Sequence, residues 1–131
     1  MKLKNIKIIT SNLVILLLFI TLTSCICQKK MDYPVVESAT YHPYDINGER
    51  GYIVKFKLSN DLIQPEAVIL NKIKKRITPA DKNGLKYRIN VIAQTRKIEN
   101  YRIEGNDLDN GILFSGASDE QFKAVDFKLK K

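Results

Sequence analysis

The stretch Tyr52-Ile53-Val54-Lys55-Phe56-Lys57-Leu58 constrains the fold of this chain more than any other. Tyr52, Val54, Phe56 and Leu58 fall on one side of an extended chain, and Lys55 and Lys57 fall on the other. A period of two with lysines on one side means a strand with one face in a core and one in water. The pattern recurs in Lys86 to Gln94. There Tyr87, Ile89, Val91 and Ala93 share a face, and Arg88, Asn90 and Gln94 lie opposite. Val35 to Tyr41 reads as the strand leading in. Asp45-Ile46-Asn47-Gly48 after it is turn chemistry, because Asn and Gly tolerate positive φ. Pro79-Ala80-Asp81-Lys82-Asn83-Gly84 is a second turn, ahead of Lys86. The end of the chain reads as a hairpin. Ile112 to Ser115 and Phe122 to Leu129 flank the polar loop Gly116 to Gln121, with Val125, Phe127 and Leu129 facing inward. Tyr101-Arg102-Ile103 reads as a further short strand.

Gln64 to Thr78 supports two assignments. A helix has Pro65 at its first position, Glu66 in its first turn and Lys74, Lys75 and Arg76 in its last, with Ile69, Ile73 and Ile77 on one face. Such a helix would be basic and amphipathic, suited to a membrane surface. Two strands instead run Ala67 to Leu70 and Lys72 to Thr78, turning near Asn71. The strand-rich surroundings favour the second. Six or seven short strands separated by turns predict an all-β fold, a small antiparallel β-sandwich over residues 35–131. It is immunoglobulin-like in architecture only, since the chain has no Trp and no Cys–Trp–Cys core.

The N-terminus carries a different signal. Lys2, Lys4 and Lys7 precede the apolar run Leu13 to Ile20, and Leu22-Thr23-Ser24-Cys25 follows. A charged start, a short apolar middle and small residues at a cleavage site make a secretory signal. The tetrapeptide resembles the lipobox of bacterial lipoproteins. That resemblance implies cleavage before Cys25, acylation of its thiol and a partner in membrane lipid. It divides the chain into a signal peptide (1–24), a lipidated tether (25–34) and the sandwich. Cys27 is the poorer acceptor, because Ile26 before it is bulky. An uncleaved anchor from Ile8 to Ile26 is the rival, but Thr10, Ser11 and Asn12 interrupt it, and a spanning helix needs about 20 apolar residues. Either assignment puts the remaining chain across a membrane. The mature part also resembles small lipoproteins of unknown function from flavobacteria and other Bacteroidota. That likeness rests on the lipobox, the Lys/Ile/Asn-rich composition, the Tyr52–Leu58 strand and the terminal Ala-Val-Asp-Phe-Lys-Leu. It carries over no catalytic or binding residue. With Ile26 after the lipidated cysteine and Lys29-Lys30 in the tether, the expected location is the cell envelope, lipid-anchored in the outer membrane and facing the periplasm.

Charge and chemistry then narrow the function. The signal holds three lysines and no acids, so the net charge of +8 becomes +5 on cleavage. Basic residues gather at Lys29-Lys30, Lys72 to Arg76 and Lys128 to Lys131. Such clusters attract anionic surfaces, or are simply solvated. An exported chain has no nucleic acid to meet, and an envelope protein or glycan is the expected further partner. His42 is the only histidine, between Tyr41 and Pro43, and reads as a surface residue without a nucleophile at any diagnostic spacing. Zinc needs several His or Cys ligands, and the sandwich offers no usable set. No phosphate-binding or dinucleotide fingerprint is present, so no metal or cofactor is expected. Asn106-Asp107-Leu108-Asp109-Asn110-Gly111 has oxygens for Ca²⁺, but counting from Asp107 its glycine is fifth and Ser118 is twelfth. An EF-hand wants glycine sixth and glutamate twelfth, so a polar turn is the better reading. Asp45, Asn47 and Glu49 are a weaker case of the same kind. Two functions follow: a non-catalytic binding or structural module of the envelope, or a small hydrolase or carbohydrate-active enzyme using carboxylates. Facing carboxylates near Glu104, Asp107 and Asp109 would favour the enzyme.

Overall fold

The computed structural model describes residues 32–116 and 120–131. The expected signal peptide, Cys25, Cys27, Lys29-Lys30 and the expected tether as far as Met31 lie outside the described residues. Within them the chain runs β1 (Val36–Ile46), β2 (Glu49–Leu58), β3 (Pro65–Leu70), β4 (Ile73–Arg76), β5 (Lys82–Asn83), β6 (Lys86–Thr95), β7 (Glu104–Gly105), β8 (Gly111–Ser115), β9 (Glu120–Ala124) and β10 (Lys128–Leu129). A short 3₁₀ turn covers Pro79–Asp81. The strands form two five-stranded sheets, ordered β10-β1-β2-β6-β5 and β7-β4-β3-β8-β9. The pairings are antiparallel except β1 with β10, which is parallel. The result is the expected small all-β sandwich.

Local chemistry explains the long hairpin of the first sheet. Asn47 and Gly48 both take positive φ, 52° and 79°, and join Ile46 to its partner Glu49. Two consecutive positive-φ residues match the right-handed twist of the flanking strands. Gly51 in β2 has a steric reason to be glycine. A Cβ there would collide with the Val91 carbonyl and come within 2.9 Å of Tyr44 Oη.

The inward faces of both sheets meet in one core. Val54, Phe56, Leu58, Tyr87, Ile89 and Val91 from the first sheet pack with Val68, Leu70, Ile112 and Phe114 from the second. Phe56 and Tyr87 stack with ring centroids 4.7 Å apart. Both alternating segments face as their period predicts as far as Val91; a bulge opposite Arg50 and Gly51 then shifts the register, so Gln94, paired with Arg50, falls on the face of Tyr52 and Val91 rather than opposite it.

The ambiguous segment is β3 and β4, joined at Asn71 and Lys72. A helical stripe would bury only every third or fourth residue. Here Ala67 to Leu70 are all buried, because β3 is a central strand with apolar contacts on both faces. Val68 and Leu70 enter the main core, while Ala67 and Ile69 join Leu113 and Phe122 on the outer side.

Two expectations are corrected. Tyr101-Arg102-Ile103 is not a strand; pairing with β4 begins at Glu104. Asn100, at φ 57°, turns the chain just before, and Ile103 is left exposed. The terminal stretch Phe122 to Leu129 is not one strand either. β9 pairs with β8 in the second sheet, and β10 pairs with β1 in the first. The chain crosses between sheets at 125–127. Phe127 is buried there and Val125 half-buried, but Leu129 is 53% exposed, on an edge strand.

Phe56→Ala should cost about 3–5 kcal/mol in a denaturant melt of the chain, as expected for a large aromatic in a packed core. A loss below about 1 kcal/mol would place Phe56 outside the core. Gly51→Ala should also destabilise the chain, by overpacking of about 1–3 kcal/mol.

Candidate functional site

The outward side of the first sheet carries the lysines that alternation points away from the core. Pairing register decides what they meet. Lys55 stands directly opposite Arg88, and Lys57 directly opposite Lys86. On the other side Thr40 faces Lys55, and Ser38 faces Lys57. The two cationic rows are two residues apart along the strands, about 7 Å. Opposed side chains start from Cβ atoms about 5 Å apart, and like charges so placed destabilise a sheet. Lys57 is partly neutralised by Glu37, at 3.0 Å. Among the described residues, Lys55, Lys86 and Arg88 form no ion pair.

The rows lie in a trough. Two depressions of about 410 and 240 Å³ adjoin, sharing Thr40, Lys55 and Arg88. The first is banked by Ala80 to Asn83 and holds Lys57 and Lys86. The second holds His42, Ile53, Lys130 and Lys131. Asp81 borders the first but is committed locally: its Oδ2 accepts from Thr78 N at 2.8 Å and Thr78 Oγ1 at 3.0 Å. Lys82 donates to Gln64 Oε1 at 3.0 Å. His42 is exposed, and its Nδ1 lies 3.0 Å from the Lys130 carbonyl. With the Lys130 N–H donating to the Tyr41 carbonyl at 2.9 Å, this holds the C-terminal lysines at the end of the trough. His42 thus sits at the surface, as the sequence suggests, with a positioning role that its sequence context does not reveal.

At the far end of the same face lies a polar network. Glu49 accepts from Tyr44 Oη at 2.8 Å and from Thr95 Oγ1 at 3.3 Å, with Lys97 Nζ 3.9 Å away. Tyr44 Oη is also 2.7 Å from Asn90 Oδ1. The Tyr44 hydrogen bond holds the Glu49 carboxyl below its ordinary value, with Lys97 adding to the effect. Burial, and then the bond to Glu49, push the Tyr44 phenol up.

The other candidate carboxylates do not face one another across a cleft. Lys72 Nζ donates to the carbonyls of Asp107 and Leu108, at 2.8 and 3.3 Å, and lies 3.7 Å from Asp109 Oδ1. Lys74 Nζ is 3.8 Å from Glu104 and 3.9 Å from Glu120. Lys72 thus ties the β3–β4 tip to the loop that offers oxygens for calcium, although its side chain stays 60% exposed and that of Asp109 91%. Backbone groups add to this tie: Asn106 N donates to the Lys72 carbonyl, and Asn71 N to Asn110 Oδ1, both at 2.8 Å. Lys72 takes φ 66°, uncommon for lysine, at the tip of the β3–β4 hairpin. Asp45 pairs with Arg50 at 2.9 Å, so Asp45 and Glu49 are engaged separately. Among the described residues no group of three or more His, Cys, Asp or Glu gathers as a metal site. Cys25, the site predicted for acylation, lies outside the described residues.

Of the two basic clusters within the described residues, Lys72 to Arg76 lies in the second sheet and Lys128 to Lys131 reaches the trough. The Lys55–Arg88 and Lys57–Lys86 oppositions have one sequence signal: basic residues on the outward side of two alternating strands. In comparisons with protein families, curated proteins and solved structures, nothing matches this chain. Among the described residues no helix is long and apolar enough to cross a membrane.

Ca²⁺ should leave the melting temperature unchanged, because Lys72 already bonds the Asp107 and Leu108 carbonyls and lies 3.7 Å from Asp109 Oδ1. A rise that disappears in the Asp107→Asn, Asp109→Asn double variant would overturn this. The lowered Glu49 value also fixes a pH dependence. Its contribution to stability is present above the unfolded carboxyl's titration and is lost as pH falls through the folded one. Denaturant midpoints across acid pH should show a smaller loss for Glu49→Gln than for the wild type.

Proposed function

We propose that this chain is a lipid-anchored, non-catalytic binding module of the bacterial cell envelope, in the outer membrane and facing the periplasm. The anchor rests on the lipobox Leu22-Thr23-Ser24-Cys25. The binding role rests on one observation above all. The first sheet presents rows of like charge in a concave surface, with Lys55, Lys86 and Arg88 outside every ion pair of the described residues. A sequence that keeps repulsive pairs where neutral ones would serve stability better breaks a local rule, and such breaks concentrate at functional surfaces. Three of the carboxylates that a hydrolase could use, Asp45, Asp109 and Glu104, lie in ion pairs with Arg50, Lys72 and Lys74.

The anchor and the trough would work together. The chain from Cys25 to Asp32 spans at most about 25 Å, which keeps an anchored sandwich close to its bilayer. Ligands attached to the same envelope then meet the trough at raised effective concentration.

Labelling with a fatty-acid analogue tests the anchor. The wild-type chain should take the label and mature by cleavage, whereas Cys25→Ser should remain unlabelled and uncleaved. Equal labelling of both would remove the lipid anchor from this proposal.

A further inference from the structure

We infer that the trough on the first sheet binds a linear acidic polysaccharide. This deepens the binding role proposed above and rests on it. The charges run from β2 and β6 toward the β10 side of the sheet. Lys57 and Lys86 form one row, Lys55 and Arg88 the next, and Lys130 and Lys131 close the end beside His42. Rows two residues apart repeat at about 7 Å along the strands. A linear polymer that carries anions along its length can meet several of these cations at once.

The chemistry of the trough favours this class over other polyanions. Single-stranded nucleic acids are held by aromatic side chains on which bases stack. The rings bordering this trough face the core: Phe56 is 2% exposed, Tyr87 is 4%, and Tyr41 packs against the core cluster. The floor is instead hydroxyl and aliphatic, from Ser38, Thr40 and Ile53. A bilayer would be served by a flat face with apolar side chains to insert. This face is concave, and the most exposed apolar residues, Leu62 and Val35, do not line it. The cations are mostly lysines. An ammonium acts as a point charge without the planar fork that matches one oxyanion, so carboxylated and sulfated sugars both qualify.

Register makes the proposal testable in two directions at once. Lys55→Glu faces Arg88 and Lys86→Glu faces Lys57, so the double variant turns each repulsive row into an attractive one. If the rows are kept for a ligand, the variant should bind worse and fold better.

The full chain is placed in neutral phosphatidylcholine nanodiscs and titrated with polygalacturonate, dextran sulfate and uncharged dextran. Separate arms use phosphatidylglycerol vesicles and a single-stranded oligonucleotide. The wild type should bind both acidic polysaccharides, more weakly at high salt, and ignore dextran. In the double variant that binding should weaken about tenfold or more, as loss of about 1.4 kcal/mol does. Its melting temperature should rise by a few degrees. Unchanged polysaccharide affinity in the variant overturns the proposal. So does tighter binding of the wild type to vesicles, or equal binding to the oligonucleotide. Labelling at Cys25 separates the two levels. A labelled protein that binds no polysaccharide sinks this inference and leaves the anchor standing, whereas an unlabelled protein that binds does the reverse.

Discussion

Phe56 and Tyr87 stack within the core between the two sheets, and the remaining architecture depends on that core. Val54, Ile89 and Val91 lie on one side of it and Val68, Leu70, Ile112 and Phe114 on the other, all fully buried. Each such side chain contributes about 1.5–3 kcal/mol on leaving water. A cross-strand pair of like charges costs about 0.2–1 kcal/mol. The core can therefore hold β2 and β6 in the register that opposes Lys55 to Arg88, although those side chains repel. Three of the four sheet edges are short. β5, β7 and β10 have two residues each, and short edge strands offer little template for pairing with another chain.

Much of this was legible in the sequence because alternation is a local property. Tyr52 to Leu58 and Lys86 to Val91 show their inward faces without help from the remaining chain, and Asn47-Gly48 shows its turn. Features set by distant partners were not legible. Tyr101-Arg102-Ile103 has strand-like composition, but pairing with β4 begins only at Glu104. The alternation from Phe122 to Leu129 continues across a change of sheet, because Phe127 is buried in a crossing rather than in a strand. β3 was ambiguous because a strand buried on both faces loses its period of two.

The candidate site was less legible than the fold. Solvent-facing lysines on one strand are ordinary. Only the β2–β6 register shows that Arg88 and Lys86 stand opposite them. Lys72 is a second example: nothing in its neighbourhood in sequence connects it with a loop near Asp107, yet its ammonium bonds the Asp107 and Leu108 carbonyls. In both places lysine position decides the chemistry, and tertiary structure fixes that position.

The central claim is that the outward face of the first sheet is under electrostatic strain which the core sustains. The salt dependence of stability measures this directly. Urea melts of the full chain, at rising sodium chloride, screen the repulsion across rows about 5–7 Å apart as the Debye length falls from about 30 Å toward 3 Å. The urea midpoint should rise with salt for the wild type, and rise less for Lys55→Glu. A midpoint that falls with salt would mean that attractive surface pairs dominate and would contradict it.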